Sequence, residues 1–362
     1  MLRHGWVLGL AGLALACAST AGAAEKAKGK DAGKVAGTDE LTLEAVNAAT
    51  LDKGGDKGGD KGRARKRDDD KPDALTVKVQ VLLDRARFSP GAIDGRDGDN
   101  LQGALAAFAA AQGLPAAKSL TPDLFDKLQA TSGEPVATAY TISEDDVKGP
   151  FVEKIPAKME DQADLEAMGY TNPREMLAER FHMSRDLLSA LNPGKPLDKA
   201  GTVITVAAVP PLERGKAKDL PRSPKVARIT VDKTSRDVRA FDKAGKLLAY
   251  YPASIGSEEK PAPDGEAKVK GIAFEPSYTY DPKYRFAGVK AKSKFSIKPG
   301  PNNPVGLVWI DLSIPSYGIH GTPEPEKVGK TESHGCIRLT NWDARDLALH
   351  VVRGAKVEFK AE

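Results

Sequence analysis

Three of the five histidines fall in the final 43 residues of a 362-residue chain, and two of them, His320 and His334, closely precede Cys336. The runs are Ile319-His320-Gly321-Thr322 and Ser333-His334-Gly335-Cys336-Ile337-Arg338-Leu339. A thiol attacks only as the thiolate, and a reference pKa of about 8.5 leaves it mostly protonated at neutral pH. An imidazolium about 4 Å away is worth roughly 4 kcal/mol at an effective dielectric near 20, or about three pKa units. A neighbouring histidine can therefore supply a standing nucleophile for acyl transfer.

Spacing leaves the choice of histidine open. His334 and Cys336 are two residues apart and project from one face of a strand, whereas His320 has to be brought near by the fold. Gly321 exposes a carbonyl that can hold one ring nitrogen and leave the other for the thiol. Gly335 lets backbone N–H groups approach a developing oxyanion. Arg338 projects with Cys336 if the strand continues, and its fork suits a carboxylate. Each has a plainer reading: a buried structural cysteine, a packing role for His334, an ion pair for Arg338. His182 and His350 lie in helical patterns and read as ordinary core or surface residues. His320, His334 and Cys336 also make three potential zinc ligands with a fourth position open to water.

The elements that would position these residues follow from the rest of the chain. Arg3 and His4 precede an apolar run from Trp6 to Ala18 and the small residues before Glu25, the pattern of a signal peptide over 1–24. The run is shorter than the roughly 20 residues of a membrane span. The other cysteine, Cys17, lies within this leader, so its removal leaves Cys336 without a disulfide partner. The net charge of +4 is too small to argue for a nucleic-acid or membrane-surface partner. Residues 25–72 are rich in Lys, Asp and Gly, with tandem Asp-Lys-Gly repeats, and read as a disordered charged linker in which Leu41 to Leu51 forms at most one marginal helix.

Residues 73–134 turn helical, with Val77, Val81 and Leu82 on one face, a second helix from Leu101 to Gln112, and Thr121-Pro122 opening a third. Residues 138–209 read as strand, two helices (Glu175 to Phe181 and Ser184 to Leu191) and closing strand. A proline-rich semi-rigid spacer over 210–224 leads into a mainly-β region at 225–360. Ala227, Ile229 and Val231 alternate there, and a hairpin turns at Asp242 to Lys246. One helix interrupts it, from Trp342 to Val352 with Asn341 as N-cap, and Gly354 lies beyond its end.

Ile-His-Gly-Thr followed by Ser-His-Gly-Cys-Ile-Arg-Leu resembles the L,D-transpeptidase, or YkuD-like, catalytic domain. Gly300-Pro301-Asn302-Asn303-Pro304-Val305-Gly306, Asn341-Trp342-Asp343 and Pro276-Ser277-Tyr278 extend the resemblance, with a departure at Pro261-Ala262-Pro263-Asp264-Gly265, where relatives have Thr between the prolines. Residues 73–134 resemble a peptidoglycan-binding-like domain, with Ala109 and Ala110 where Gln is expected. Residues 138–209 resemble a LysM module, apart from an extra stretch around Pro150 to Met168. The implied fold class is a multidomain chain: a mainly-β, YkuD-like β-sandwich preceded by a small three-helix module and a LysM-like α+β module.

The resemblance implies a two-step acyl transfer on peptidoglycan stem peptides in which Cys336 attacks the third stem residue, expels D-alanine and leaves a thioester. His320 is then the base and Gly321 its orienter, while His334, Gly335 and Cys336 line the oxyanion site through backbone N–H groups, and Arg338 and Ser333 bind substrate. No cofactor is implied. The partners are peptidoglycan stems and glycan strands and, if the acceptor is a protein lysine, an anchored wall protein. Water as acceptor makes a carboxypeptidase, and a non-catalytic wall-binding protein is the rival outside enzymology. The expected location is exported, in the periplasm or cell wall. Metal analysis separates the thiol and zinc readings: a chelator should leave activity unchanged, whereas stoichiometric, tightly held zinc rules out the thiol mechanism.

Overall fold

Helical periodicity in the first half of the chain and β alternation in the second both become regular structure, with the change falling at the proline-rich run ending at Pro224. The computed structural model describes residues 41–51, 71–256, 261–284, 289, 291–331 and 335–360. The leader expected at 1–24, most of the linker expected at 25–72, and Ser333 and His334 lie outside the described residues.

Four helices open the described chain: α1 (Leu43–Ala48), α2 (Ala74–Arg85), α3 (Asp99–Ala111) and α4 (Pro122–Gln129). Asp73 caps α2 and Thr121 caps α4, each accepting a backbone N–H three residues on, with Pro122 at the first helical position. The linker reading is corrected at 41–51. Thr42 caps α1, Val46 is fully buried, and Leu41, Leu43 and Leu51 pack on the same core. Asn47 secures it by donating to Ala137 O (2.9 Å) and accepting from Val136 N (2.8 Å) and Ala137 N (2.9 Å). Four apolar residues and one doubly used amide supply what the surrounding Lys-Asp-Gly sequence lacks.

Next come β1 (Ala137–Thr141), α5 (Glu144–Lys148), α6 (Pro173–Arg180), α7 (Arg185–Ala190) and β2 (Val203–Ala207), with β1 and β2 antiparallel from Ala137↔Ala207 to Thr141↔Val203. The segments expected as two modules share one hydrophobic core: Leu82, Phe108 and Leu128 belong to the same buried cluster as Leu177, Leu188 and Ile204. Arg85 spans them, donating to Ala208 O at 2.8 Å and Ser132 Oγ at 3.0 Å.

The remaining strands are β3 (Val226–Asp232), β4 (Asp237–Phe241), β5 (Leu247–Pro252), β6 (Ser254–Ile255), β7 (Gly265–Phe274), β8 (Tyr278–Tyr280), β9 (Phe295–Ile297), β10 (Val308–Leu312), β11 (Gly318–His320) and β12 (Ile337–Arg338). Helix α8 (Asn341–His350) runs directly into β13 (Val351–Lys360). Strands β8 and β9 pair separately, and the others form one nine-stranded sheet, ordered β5-β4-β3-β13-β7-β10-β11-β12-β6. The two layers implied by a sandwich are continuous through β7, whose first half pairs with β13 and second half with β10. Ala344, Leu347 and Ala348, all fully buried, put one face of α8 into the core of the mainly-β region.

Two local expectations change. Thr340, not Asn341, caps α8, its hydroxyl accepting from Asp343 N at 3.0 Å, because the Asn341 side chain is engaged elsewhere. Gly354 lies inside β13 at φ +86°, where the register with β3 shifts, rather than between helix and strand. The 210–224 run is also no detached spacer, since Leu212 N bonds Arg180 O (3.0 Å) and Arg222 N bonds Leu349 O (2.7 Å). The edge strand β5 is covered by the α2–α3 loop: Ser89 N donates to Tyr250 O and Tyr250 N to Arg87 O, both at 2.9 Å. Replacing Asn47 with Ala removes three hydrogen bonds from partly buried groups, and a loss of about 2 kcal/mol is expected in denaturant melts.

Candidate active site

The site is assembled at one end of the sheet, on β10, β11 and β12. Strand β11 lies between antiparallel β10 and parallel β12, with Trp309↔His320 on one side and Ile319↔Ile337, His320↔Arg338 on the other. Side chains alternate along strands, so the buried, fully apolar Ile319 and Ile337 face the core. His320 and Arg338 therefore share the opposite face, and Cys336 immediately precedes β12. The register thus places His320 one strand away from the segment that carries the thiol, a neighbourhood that sequence spacing left open.

His320 is buried, and its ring stacks on Trp309 with centroids 5.6 Å apart and planes 20° from parallel. Its Nδ1 bonds the Gly321 carbonyl at 2.6 Å. A carbonyl only accepts, so Nδ1 carries the proton and Nε2 of the neutral ring keeps its lone pair. Burial pushes the imidazole pKa down to about 4, against the hydrogen bond to Gly321 and with a smaller push from the Arg338 guanidinium. This departs from the picture of a standing imidazolium, because the lowered pKa favours the neutral ring at neutral pH. Desolvation of a charged ring outweighs what its neighbours return.

Cys336 is half-buried, with Sγ 3.9 Å from the Ser316 carbonyl. Ser316 holds φ +60° in the turn before β11, and Gly335 holds φ +121°, a conformation that favours glycine. Two donors near the thiol are buried without hydrogen-bond partners among the described residues, Tyr317 Oη and Arg338 Nε. Burial drives the Tyr317 phenol well above its usual range, with the neighbouring Cys336 adding to the shift. Burial lowers Arg338, while Glu324 and Cys336 support its charge. Ser333 and His334 are outside the described residues. Among the described residues no three His, Cys, Asp or Glu side chains gather as a metal site.

Two glycines are fixed by contact. A Cβ on Gly318 would lie 2.6 Å from the Trp309 ring, and one on Gly321 would collide with Asn341 Oδ1. Trp309 and Asn341 are thus site residues that sequence reasoning missed as such. Asn341-Trp342-Asp343 was visible as a motif, but nothing in it told that Asn341 presses on Gly321. A cavity of about 370 Å³ lies elsewhere, lined by Tyr170, Met176, Arg180, Arg214 and Pro299–Pro301 among others, and neither Cys336 nor His320 borders it.

A partly exposed thiol just ahead of β12 and a buried, singly tethered imidazole on the neighbouring β11 are the residue types that acyl transfer uses. Residues 226–359 match the family model for the L,D-transpeptidase catalytic domain, YkuD. The chain is 28% identical over 187 residues to the putative L,D-transpeptidase YkuD of Bacillus licheniformis, covering 51% of this chain and 90% of that protein. It is 28% identical over 198 residues to the probable L,D-transpeptidase YbiS of Escherichia coli K12, covering 53% of this chain but only 61% of that protein. Among solved structures, the L,D-transpeptidase of Xylanimonas cellulosilytica superposes with a TM-score of 0.34 at 13% identity, over 79% of this chain and 92% of that one.

The pH dependence follows from the buried ring. With the neutral ring acting as base, kcat/KM should hold as pH falls from 7 and drop only near pH 4. A limb near 6.5 would show that His320 is open to water. The same depressed pKa adds stability above about 6.5 that is lost as pH falls towards 4.

Proposed function

We propose that the chain is an exported L,D-transpeptidase that cross-links peptidoglycan through a thioester on Cys336. The observation that carries this reading is the His320 ring, tethered through Nδ1 to Gly321 O and paired by register with Arg338, two residues beyond Cys336, within the YkuD segment. His320 Nε2 takes the thiol proton as Sγ attacks the carbonyl of the third stem residue. The tetrahedral oxyanion is held by backbone N–H groups of His334, Gly335 and Cys336. As the C–N bond breaks, the imidazolium returns its proton to the departing D-alanine amine. An amine from a second stem then attacks the thioester, gives its proton to His320, and releases Cys336, which is reprotonated. Arg338 and Ser333 bind the donor stem, with Arg338 Nε the unsatisfied donor suited to a carboxylate.

The segments ahead of this domain fit a wall-binding role: the α2–α4 helices as a peptidoglycan-binding-like module and β1-α6-α7-β2 as a LysM-like module with the extra stretch around Pro150 to Met168. The activity then belongs in the periplasm or cell wall, consistent with a leader at 1–24. No helix among the described residues is long and apolar enough to cross a membrane.

Incubating the protein and its Cys336→Ala variant with a purified disaccharide tetrapeptide, followed by mass spectrometry, tests the reading. A dimer lacking one D-alanine is expected from the wild type and not from the variant. Tripeptide alone would assign the carboxypeptidase reaction instead, and no product from a folded wild-type protein would leave a wall-binding role.

A further inference from the structure

Helix α6 lies outside the 226–359 segment, yet its Glu179 reaches the catalytic domain twice. Its carboxylate accepts from Asn341 Nδ2 at 2.6 Å, and its backbone carbonyl accepts from Trp342 Nε1 at 2.6 Å. Three residues on, His182 stacks on Trp342 with centroids 5.1 Å apart and planes 9° from parallel, and its Nε2 is 3.3 Å from Thr340 Oγ1. Thr340, Asn341 and Trp342, the cap and first two residues of α8, are therefore gripped by two residues that the catalytic domain does not supply.

Asn341 is the member that touches the site. It is fully buried, and its amide has only one orientation that satisfies its surroundings. Nδ2 faces two acceptors, Glu179 Oε1 and Pro301 O (3.3 Å), while Oδ1 accepts from Leu307 N at 2.9 Å. The same Oδ1 occupies the space where Cβ atoms of Gly306 and Gly321 would be. Gly321 N bonds Val308 O at 3.2 Å, and Gly321 O holds His320 Nδ1. Contacts thus run without a gap from Glu179 through Asn341 and Gly321 to the imidazole.

We propose that Glu179 is a positioning residue for the acyl-transfer reaction, fixing through Asn341 the Gly321 carbonyl that orients His320. The inference rests on the function proposed above. Without an acceptor at 179, the Asn341 amide loses its shortest bond, and the peptide that sets the tautomer and tilt of the base loses its brace. The Glu179 carboxyl is raised to about 7, chiefly by burial and against its hydrogen bonds with Asn341 and Tyr170, so it need not be ionised to accept from Asn341. A neutral glutamine should therefore substitute for it, whereas alanine cannot.

The test uses the full chain and four proteins: wild type, Glu179→Ala, Glu179→Gln and Glu179→Asp, whose shortened side chain withdraws from Asn341. Two quantities are read, kcat and KM for the disaccharide tetrapeptide, and the rate at which iodoacetamide alkylates Cys336, located by mass spectrometry; thermal melts confirm folding. The expected result is about a tenfold or larger fall in kcat for Ala and Asp with KM nearly unchanged, slowed alkylation in both, and recovery in Gln. If Ala fails to fold, Asp against Gln carries the comparison. A folded Ala or Asp variant with wild-type kcat overturns the proposal, as does a loss that Gln shares or that falls on KM alone. If wild type yields no product, the proposed function fails, and alkylation rates still decide whether Glu179 governs the thiol's environment.

Discussion

The hydrogen bond from His320 Nδ1 to the carbonyl of its own neighbour, Gly321, is the constraint on which the site depends. It fixes which nitrogen is bare, and it can form only if the Gly321 peptide is held in one orientation. That orientation is set by two residues without side chains, Gly306 and Gly321, which let the Asn341 oxygen approach the backbone, and by Trp309, which packs against the ring from the neighbouring strand. Each contact is modest, but together they leave the ring little freedom to rotate. Such preorganisation is what the proposed proton transfer would need in order to proceed without rearrangement.

Electrostatics reinforce the geometry. Burial lowers the His320 pKa and so disfavours a permanently charged ring. In the proposed reaction, charge would develop beside Arg338 and the buried Tyr317 hydroxyl, two donors without partners among the described residues. Leaving donors unsatisfied in a folded protein costs about 1–3 kcal/mol each, which makes sense where an incoming group completes them.

The helical segments are not attachments on a string. Their shared core includes Tyr250 from edge strand β5, and the ion pair between Arg87 and Asp346 (2.9 Å) ties the end of α2 to α8. A second tie buries charge: His182 Nδ1 lies 2.8 Å from Asp84 Oδ1, and the Asp84 carboxylate overcomes the desolvation that would otherwise lower the ring's pKa. Burial meanwhile raises Asp343 to about 6, against the pull of His182. Truncating either partner of such a pair strands the other, so these contacts fix the modules' relative placement more firmly than apolar packing alone would.

By itself the sequence determined the parts that rest on local chemistry. Thr121-Pro122 had to start a helix, the alternation around Ile229 and Val231 had to be a strand, and a lone thiol among histidines in a YkuD-like motif pointed to Cys336 and His320. It misjudged 41–51, where a few apolar residues and Asn47 find partners far along the chain, and it gave the α8 cap to Asn341 rather than Thr340. Only the tertiary structure decided that His320 pairs in register with Arg338, that burial lowers the pKa of its ring, and that Asn341 and Trp309 surround it. These are properties of strand register, burial and contacts between distant segments, and none leaves a periodic trace in the chain. Sequence names the groups that can react; packing sets their protonation and aim.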